Sequence, residues 1–222
     1  MQNISKEDYL GIIFKNKDEN DKIKATIIAE KLQISSAAVT DMLKKLSKDG
    51  YIKHERYKGI KLTSKGEEYA RNMVRRHRIW EVFLYQIVGV PWNRVHDEAN
   101  NLEHSGSDEL INRMEEMLNF PEFDPHGDPI PGKDGTIPVQ KKNVPLSKLK
   151  KKEIGVVVRV NDFDNDFLNY ISQIGIELNK EIYVKNVLSF DHSMLVTIGE
   201  KDVNISNTIA ANIFVEVRNS LE

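Results

Sequence analysis

The chain contains 222 residues, of which 40% are hydrophobic and 30% charged, a composition typical of soluble globular proteins and of neither collagen nor disordered chains. The absence of cysteine excludes disulfides, thiolate metal sites and thiol catalysis. No apolar run approaches the roughly 18 residues of a membrane span, and the N-terminal segment lacks the features of a signal peptide. We therefore expect a cytoplasmic protein that does not engage a membrane.

The net charge of -2 conceals a gradient along the chain. Residues 1–80 contain 18 basic and 11 acidic residues, whereas residues 81–135 contain 3 basic and 12 acidic residues. The basic first third favours a polyanionic partner. The acidic middle third holds three of the six histidines and favours a cation. Solvated helix faces of opposite sign would give the same gradient, so the motifs must decide.

Three helical patterns and a β-hairpin follow one another in the first third of the chain. Apolar residues repeat at helical spacing in 5–17, 24–33 and 35–50. Two short β-prone runs then flank a turn at Lys58–Gly59. With the tight connection at Gln33–Ile34, this order is typical of a winged helix-turn-helix, whose reading helix enters the major groove of DNA.

The same pattern indicates which residues would contact DNA. The start of the third helix would reach base edges, and the hairpin, or wing, would contact phosphates. The candidates are Ser35, Ser36, Ala37, Thr40 and Asp41 in the helix, and Lys53, Arg56 and Lys58 in the wing. A three-helix packing module without a DNA role is the alternative, and the basic charge of this segment argues against it.

Histidines and carboxylates recur at helical spacing in the middle third. A long helical pattern begins near Thr63–Ser64 and runs past Leu84, and two more cover about 93–105 and 107–119. Imidazole and oxygen donors converging from two helices would suit a divalent metal. The potential ligands are His77 and Glu81 on the first helix, and His96, Asn100, Glu103 and His104 on the second.

Other uses of these residues stay open at this point. They could line an ordinary salt-bridged or solvated helix pair, or they could serve a metal-dependent hydrolase or a metal-storage protein. The chain contains no HExxH, G-x-S-x-G or P-loop motif, so an enzyme is not expected.

The last part of the chain changes character twice. Residues 120–145 hold six of the seven prolines and are predicted to form a linker with little regular structure. From Glu153 onward β-prone segments predominate, interrupted by the helical pattern DFLNYISQIG. We therefore predict a small β-rich C-terminal domain, built from the segments IGVVVRV, EIYVKNV, MLVTIG, KDVNIS and NIFVEV.

Several segments carry a family resemblance. They are EDYLGIIF at 7–14, KDGYI at 48–52, LTSKGEEYA at 62–70, RRHRIWEVFL at 75–84, VHDEANNLEHSGSDEL at 95–110 and DPHGDPIP at 124–131. The chain thereby resembles the diphtheria-toxin-repressor family of metal-dependent transcriptional regulators, and particularly its manganese-responsive branch. IGIELNKEIYV at 174–184 is similar to the SH3-like (FeoA-like) domain of three-domain members.

The resemblance implies a mainly α fold with a β-rich C-terminal domain. The expected parts are a winged helix-turn-helix DNA-binding domain at 1–70, a helical metal-binding and dimerisation domain at 71–120, a Pro-rich linker at 121–152 and a small SH3-like barrel at 153–222.

The resemblance also implies two sets of metal ligands. The principal set is Asp8, His77, Glu103 and His104, with Asn100 at a position that the family usually fills with Glu or Cys. A second set is Glu81, His96, Asp124, His126 and Asp164. A turn at Asp124–Pro125 and a helix cap at Asp164 are the alternative roles for two of these residues.

The expected function is that of a homodimeric repressor of metal-uptake genes that binds a double-stranded operator and takes no small organic substrate. All candidate ligands offer oxygen or imidazole nitrogen, which favours Mn(II) and does not exclude Fe(II), with one or two ions per subunit. The dimer surface is expected to use apolar residues such as Ile79, Phe83, Leu110 and Met114.

Overall fold

The computed structural model describes residues 6–55, 59–162 and 164–218. The chain divides into two units, one comprising Met1–His77 with Pro131–Thr136 and the other comprising Arg78–Ile130 with Ile137–Glu222. Within the described residues, every helix is too short or too polar to traverse a lipid bilayer.

The first unit contains the predicted winged helix-turn-helix. Its helices are α1 (Lys6–Lys15), α2 (Ala25–Leu32) and α3 (Ser36–Lys48), followed by the strands β1 (Ile52–Glu55) and β2 (Gly59–Leu62) and by helix α4, which begins at Ser64. The two strands pair antiparallel, and Ile23 adds an isolated bridge to Ile60.

Local signals in the sequence place α3. Gln33 ends α2 in the left-handed conformation, with a φ of 52°. Ser35 then caps α3, because its side chain accepts a hydrogen bond from the Ala38 amide at 3.2 Å. Val39, Leu43 and Leu46 point from α3 into the core of the unit, so the opposite face of α3 is left to solvent.

The start of α4 lies close to the hairpin. A Cβ atom at Gly66 would come within 2.0 Å of the Tyr51 carbonyl oxygen, so only glycine allows this approach. Thr63 reinforces the junction, since its hydroxyl donates to the Gly50 carbonyl at 2.7 Å. The wing is therefore braced at its base by α4.

The second unit begins within α4 (Ser64–Phe83). A π-helical turn, Leu84–Val88, follows α4 and ends at Gly89, whose φ is 82°. Helices α5 (Val95–Leu102) and α6 (Asp108–Met117) come next, and α6 packs Ile111 and Met114 against Ile79 and Val82 of α4. Helix α5 ends three residues earlier than the predicted pattern, so Glu103 is its C-cap.

The C-terminal part of the second unit contains the elements β3 (Val144–Pro145), β4 (Ile154–Val160), α7 (Asn165–Gln173), β5 (Glu181–Val187), β6 (Met194–Ile198), β7 (Lys201–Ile205), α8 (Asn207–Ala211) and β8 (Ile213–Arg218). Its strands form an antiparallel sheet with the order β3-β8-β4-β5-β6-β7. The five predicted strands and the helix between them are all present, whereas β3 and α8 were not predicted. Trp92, which precedes α5, packs into the core of this sheet.

The predicted fold class is confirmed: a helical DNA-binding domain and a helical dimerisation region are followed by an SH3-like antiparallel domain. The predicted linker has mostly irregular backbone, and an isolated β-bridge joins Phe123 to Pro129.

Candidate metal centre and DNA-reading surface

Four side chains of the second unit converge on one buried position. Nδ1 of His96 lies 3.1 Å from Oε1 of Glu81 and 3.5 Å from Oδ2 of Asp162, and Nδ1 of His126 lies 3.7 Å from the same Glu81 oxygen. One donor atom each from Glu81, His126 and Asp162 lie within 4.8 Å of one another. We call this group the Glu81 cluster.

Each member of the Glu81 cluster comes from a different element. Glu81 lies near the end of α4, His96 is in the first turn of α5, His126 is in the loop after α6, and Asp162 follows β4. Glu81 and His126 are fully buried, whereas His96 and Asp162 are partly exposed. A ligand held here would join the helices, the linker and the sheet domain.

The hydrogen bonds of His126 fix its tautomer. Its Nε2–H donates to the Trp92 carbonyl oxygen at 2.9 Å, so in the neutral imidazole Nδ1 carries the lone pair. Nδ1 faces the Glu81 carboxylate, and within the described part of the chain it has no hydrogen-bond partner. Two electron-rich atoms facing each other in a buried site are the arrangement that a cation stabilises, and a carbonyl on the other ring nitrogen is typical of metal-ligating histidines.

The charges around the Glu81 cluster also favour a bound cation. Besides Glu81 and Asp162, the carboxylates of Asp124 and Asp128 lie nearby, against the two guanidinium groups of Arg78 and Arg159. Four carboxylates therefore surround this position with two guanidinium groups, and a divalent cation would offset the repulsion among the carboxylates. Burial, together with the Glu81 and Asp128 carboxylates, raises the pKa of Asp124 to about 7.

Two of the predicted second-set residues have other contacts in the structure. Asp124 is buried, accepts hydrogen bonds from the His126 and Asp128 amides, and places Oδ2 3.3 Å from Nε of Arg78. Asp164 is exposed and caps α7 by accepting from the Phe167 amide at 3.0 Å. Asp162, which sequence reasoning missed, lies in the cluster instead. The sequence feature that could have identified Asp162 is its position two residues after the predicted strand IGVVVRV.

The residues of the predicted principal set lie in both units. Asp8 is half-buried on α1, and His77 is buried on α4, one turn before Glu81. Glu103 is 9% exposed, and its Oε1 lies 3.3 Å from Nε2 of His104. Asn100 is exposed on α5.

The candidate DNA-reading residues of α3 lie on its solvent face. Ser35, Ser36, Ala37, Thr40 and Asp41 are all exposed. Thr40 donates its hydroxyl hydrogen to the Ser36 carbonyl at 2.8 Å, and Asp41 pairs with Lys44 at 3.1 Å. This ion pair offsets the charge that Asp41 would bring toward phosphates. In the wing, Lys53 is exposed, whereas Arg56 and Lys58 lie outside the described residues.

Three family models match the chain. The model for the iron-dependent repressor N-terminal DNA-binding domain matches residues 3–60, and the model for the iron-dependent repressor metal-binding and dimerisation domain matches residues 63–132. The FeoA domain model matches residues 144–217. These matches give no support to the hydrolase alternative.

Related proteins and structures agree with the family models. The HTH-type transcriptional regulator MntR of Oceanobacillus iheyensis is 36% identical over 116 residues, which are 52% of this chain and 78% of that protein. The iron-dependent repressor IdeR of Mycobacterium leprae is 29% identical over 95% of this chain and 96% of its own. A solved manganese-dependent transcriptional repressor in complex with manganese is 35% identical, with a TM-score of 0.85 over 95% of this chain and 99% of that chain. The chain therefore belongs to the iron-dependent repressor family, whose members are metal-dependent, DNA-binding transcriptional repressors and not enzymes.

Proposed function

We propose that this repressor responds to Mn(II) and controls genes for metal uptake, acting on chromosomal DNA in the cytoplasm. The observation that carries the proposal is the Glu81 cluster, whose donors are carboxylate oxygens and imidazole nitrogens. Such donors suit Mn(II), and they also accept Fe(II). A related structure contains manganese and a related repressor is named for iron, so the relatives alone leave both metals open.

We infer two metal sites per subunit. The second site would use Glu81, His96, His126 and Asp162, where Asp162 takes the place first given to Asp164. The principal site would use Asp8, His77, Glu103 and His104, as the family resemblance implies. Asn100 would contribute at most a neutral carbonyl oxygen to it. A bound divalent cation supplies positive charge that offsets the repulsion among the buried carboxylates.

Ligation at the principal site would restrict the DNA-binding domain. Asp8 lies on α1, and α1 packs Leu10 and Ile13 into the same core as Leu43 and Leu46 of the reading helix. A restraint on Asp8 is therefore transmitted to α3. Metal activates the repressor to the extent that it binds the DNA-competent state more tightly than the other state.

Part of the predicted dimer surface is buried inside the subunit. Ile79 and Met114 are buried in the core of their own subunit, with exposures of 0% and 3%, so the prediction that they form the dimer surface was wrong. The exposed apolar residues of the helical region are Tyr85, Ile87, Val88, Leu110, Met117 and Phe120. Leu110 and Met117 lie two turns apart on one face of α6. We propose that a second copy of the chain covers this surface, since the matched domain is a dimerisation domain.

Met117→Asp should disrupt the homodimer. Met117 is 67% exposed, so an aspartate is tolerated in the monomer but would have to be desolvated in the interface. A loss of about 2 kcal/mol, or roughly 30-fold in the dimerisation constant, is expected by analogy with interface anchors. Sedimentation equilibrium measures the dimerisation constant. Phe190→Asp, at an 82% exposed position beyond β5, is the control and should leave the dimer intact. A Met117→Asp protein with unchanged dimerisation would place the interface elsewhere.

Lys53, Arg56 and Lys58 should act on phosphates. Replacing any one with alanine should weaken binding to all DNA sequences about equally and reduce the salt slope by about 1 per lost contact. Titrations at several salt concentrations, with metal present, measure the slope. Lys201→Ala, at an exposed position of β7, should leave it unchanged. If all three variants keep the DNA affinity and the salt slope of the parent protein, the wing does not contact DNA.

The proposal as a whole is tested by operator binding. Candidate promoter fragments are titrated with the protein in chelator, in Mn(II) and in Fe(II) under reducing conditions. Sequence-selective binding that requires Mn(II) at the lower free concentration supports the proposal. Equal binding in chelator would show that metal does not control this repressor.

A further inference from the structure

Trp92 belongs to the core of the sheet domain, although it precedes α5 in the chain. It is 9% exposed and packs in one apolar cluster with residues of β4, α7 and β5, such as Val160, Leu168 and Val184. Its indole Nε1–H is buried and makes no hydrogen bond within the described residues, so packing alone holds the ring. A smaller apolar ring at this position would therefore lose contact area but no hydrogen bond.

Trp92 also makes two contacts with His126. Its carbonyl oxygen accepts a hydrogen bond from the Nε2–H of His126 at 2.9 Å, and its ring packs on the imidazole, with ring centroids 5.7 Å apart and planes inclined at 42°. The main chain of Trp92 thus selects the tautomer of the neutral imidazole, and the indole limits how the imidazole can rotate. Nδ1 of His126 is thereby directed toward Glu81, whose Oε1 lies 3.7 Å away.

Two further hydrogen bonds fix the start of α5 to α7 of the sheet domain. The side-chain amide of Asn93 donates to Oδ1 of Asn169 at 2.6 Å. One turn away on α7, the side-chain amide of Asn165 donates to Oδ2 of Asp97, also at 2.6 Å. Because His96 directly precedes Asp97, the contacts that dock the sheet domain also hold the stretch of chain that carries this second imidazole.

We propose that Trp92 is a positioning residue, which sets the imidazole of His126 toward Glu81 and makes docking of the sheet domain and assembly of the second site one event. The inference rests on the second site proposed above. An imidazole that is already held in the required tautomer and rotamer binds metal without first being ordered. Loss of the Trp92 ring should therefore weaken metal affinity while every ligand stays present.

Two substitutions in the full-length protein separate the ring contact from core packing. Trp92→Leu and Trp92→Phe both keep an apolar side chain in the sheet core, but only phenylalanine keeps a planar ring beside His126. We expect Trp92→Leu to weaken second-site Mn(II) affinity by about 10–100-fold, and Trp92→Phe to retain most of the affinity. Free Mn(II), followed by electron paramagnetic resonance, gives the affinity, and Glu81→Gln defines the second-site contribution. Ile205→Val, at a buried position of the edge strand β7, is the control, which should lower the melting temperature without changing the affinity.

The ring nitrogens of His126 provide a readout that core packing alone would not change. In chelator at alkaline pH, where the imidazole is neutral, heteronuclear NMR of the parent protein should show a protonated Nε2 and an unprotonated Nδ1. In Trp92→Leu the two nitrogen shifts should move toward each other, because the displaced carbonyl no longer selects one tautomer. Ile205→Val should keep the parental shifts, and His126→Asn assigns the signals.

Parental Mn(II) affinity or parental His126 shifts in Trp92→Leu would overturn the positioning role, as would equal losses of affinity in Trp92→Leu and Trp92→Phe. If the parent protein and Glu81→Gln bind the same number of ions with the same affinities, the second site itself is absent, which refutes the proposed site and this role together. Melting curves in chelator verify that each variant is folded.

Discussion

Glu103→Ala should abolish most metal-activated operator binding. Glu103 is a nearly buried carboxylate beside His104, and we propose both as ligands of the principal site. Loss of a residue that only supports a ligand costs about 10–100-fold in metal affinity, so loss of a ligand should exceed about 100-fold. The metal would then no longer shift the population toward the DNA-competent state. Mn(II) titration and operator binding measure the two effects, and His104→Ala should behave alike.

Asn100 provides a graded comparison for Glu103→Ala. Asn100→Ala should cost less than Glu103→Ala, because a neutral carbonyl oxygen is the weakest donor of the set. Asn100→Glu should tighten metal binding, since it adds the charge that the family usually has at this position, and its benefit should vanish in chelator. Glu109→Ala, at an exposed position of α6, is the control. A Glu103→Ala protein that binds metal and operator like the parent would refute the assignment of the principal site.

Glu81→Gln should remove most of the stability that metal adds through the second site. The substitution takes a fully buried carboxylate donor out of the Glu81 cluster while the side chain keeps its size. With metal at 100 times its dissociation constant, the second site should add about 2.7 kcal/mol to the parent protein. A variant with about 100-fold weaker affinity would gain only about 0.4 kcal/mol at that concentration.

Thermal unfolding with and without Mn(II) measures the metal-induced shift of the parent protein and of the variant. Glu98→Gln, at an exposed position of α5, is the matched control and should show the parental metal-induced shift. If Glu81→Gln keeps the full metal-induced shift, the Glu81 cluster does not hold the ion.

The elements could be predicted because their signals are local. Ser35 caps α3 and Gly50 follows its end, and the strand segments alternate or run apolar as buried strands do. β3 and α8 were missed for the same reason. A two-residue strand and a five-residue helix are too short to show a repeat of apolar residues. They form because of tertiary contacts such as the pairing of Val144 with Val215.

The candidate ligands are harder to predict than the fold. Helical spacing puts His96 on one face of its helix with Asn100, because i,i+4 neighbours share a face whatever the tertiary structure. In the segment DFDND, however, Asp162 and Asp164 are equally plausible from sequence. The choice depends on how β4 ends and where α7 begins, which makes Asp164 a cap and turns Asp162 to the cluster. The spacing of apolar residues likewise identifies a helix face, but it does not tell whether Ile79 packs inside its own subunit or against another.

The strand order of the sheet domain has a consequence for biosynthesis. β8 (Ile213–Arg218) pairs with both β3 and β4, although β4 precedes it by more than fifty residues. A ribosome therefore releases the reading helix, its wing and the helices that carry Glu81 and His96 long before β4, which also pairs with β5, acquires β8 as its second partner. Since domains generally fold as units and from the N-terminus during synthesis, the nascent repressor holds its DNA-reading part before Asp162 is in place. If the Glu81 cluster holds metal as proposed, this site would thus be completed late in translation, after the DNA-reading part of the chain has been synthesised.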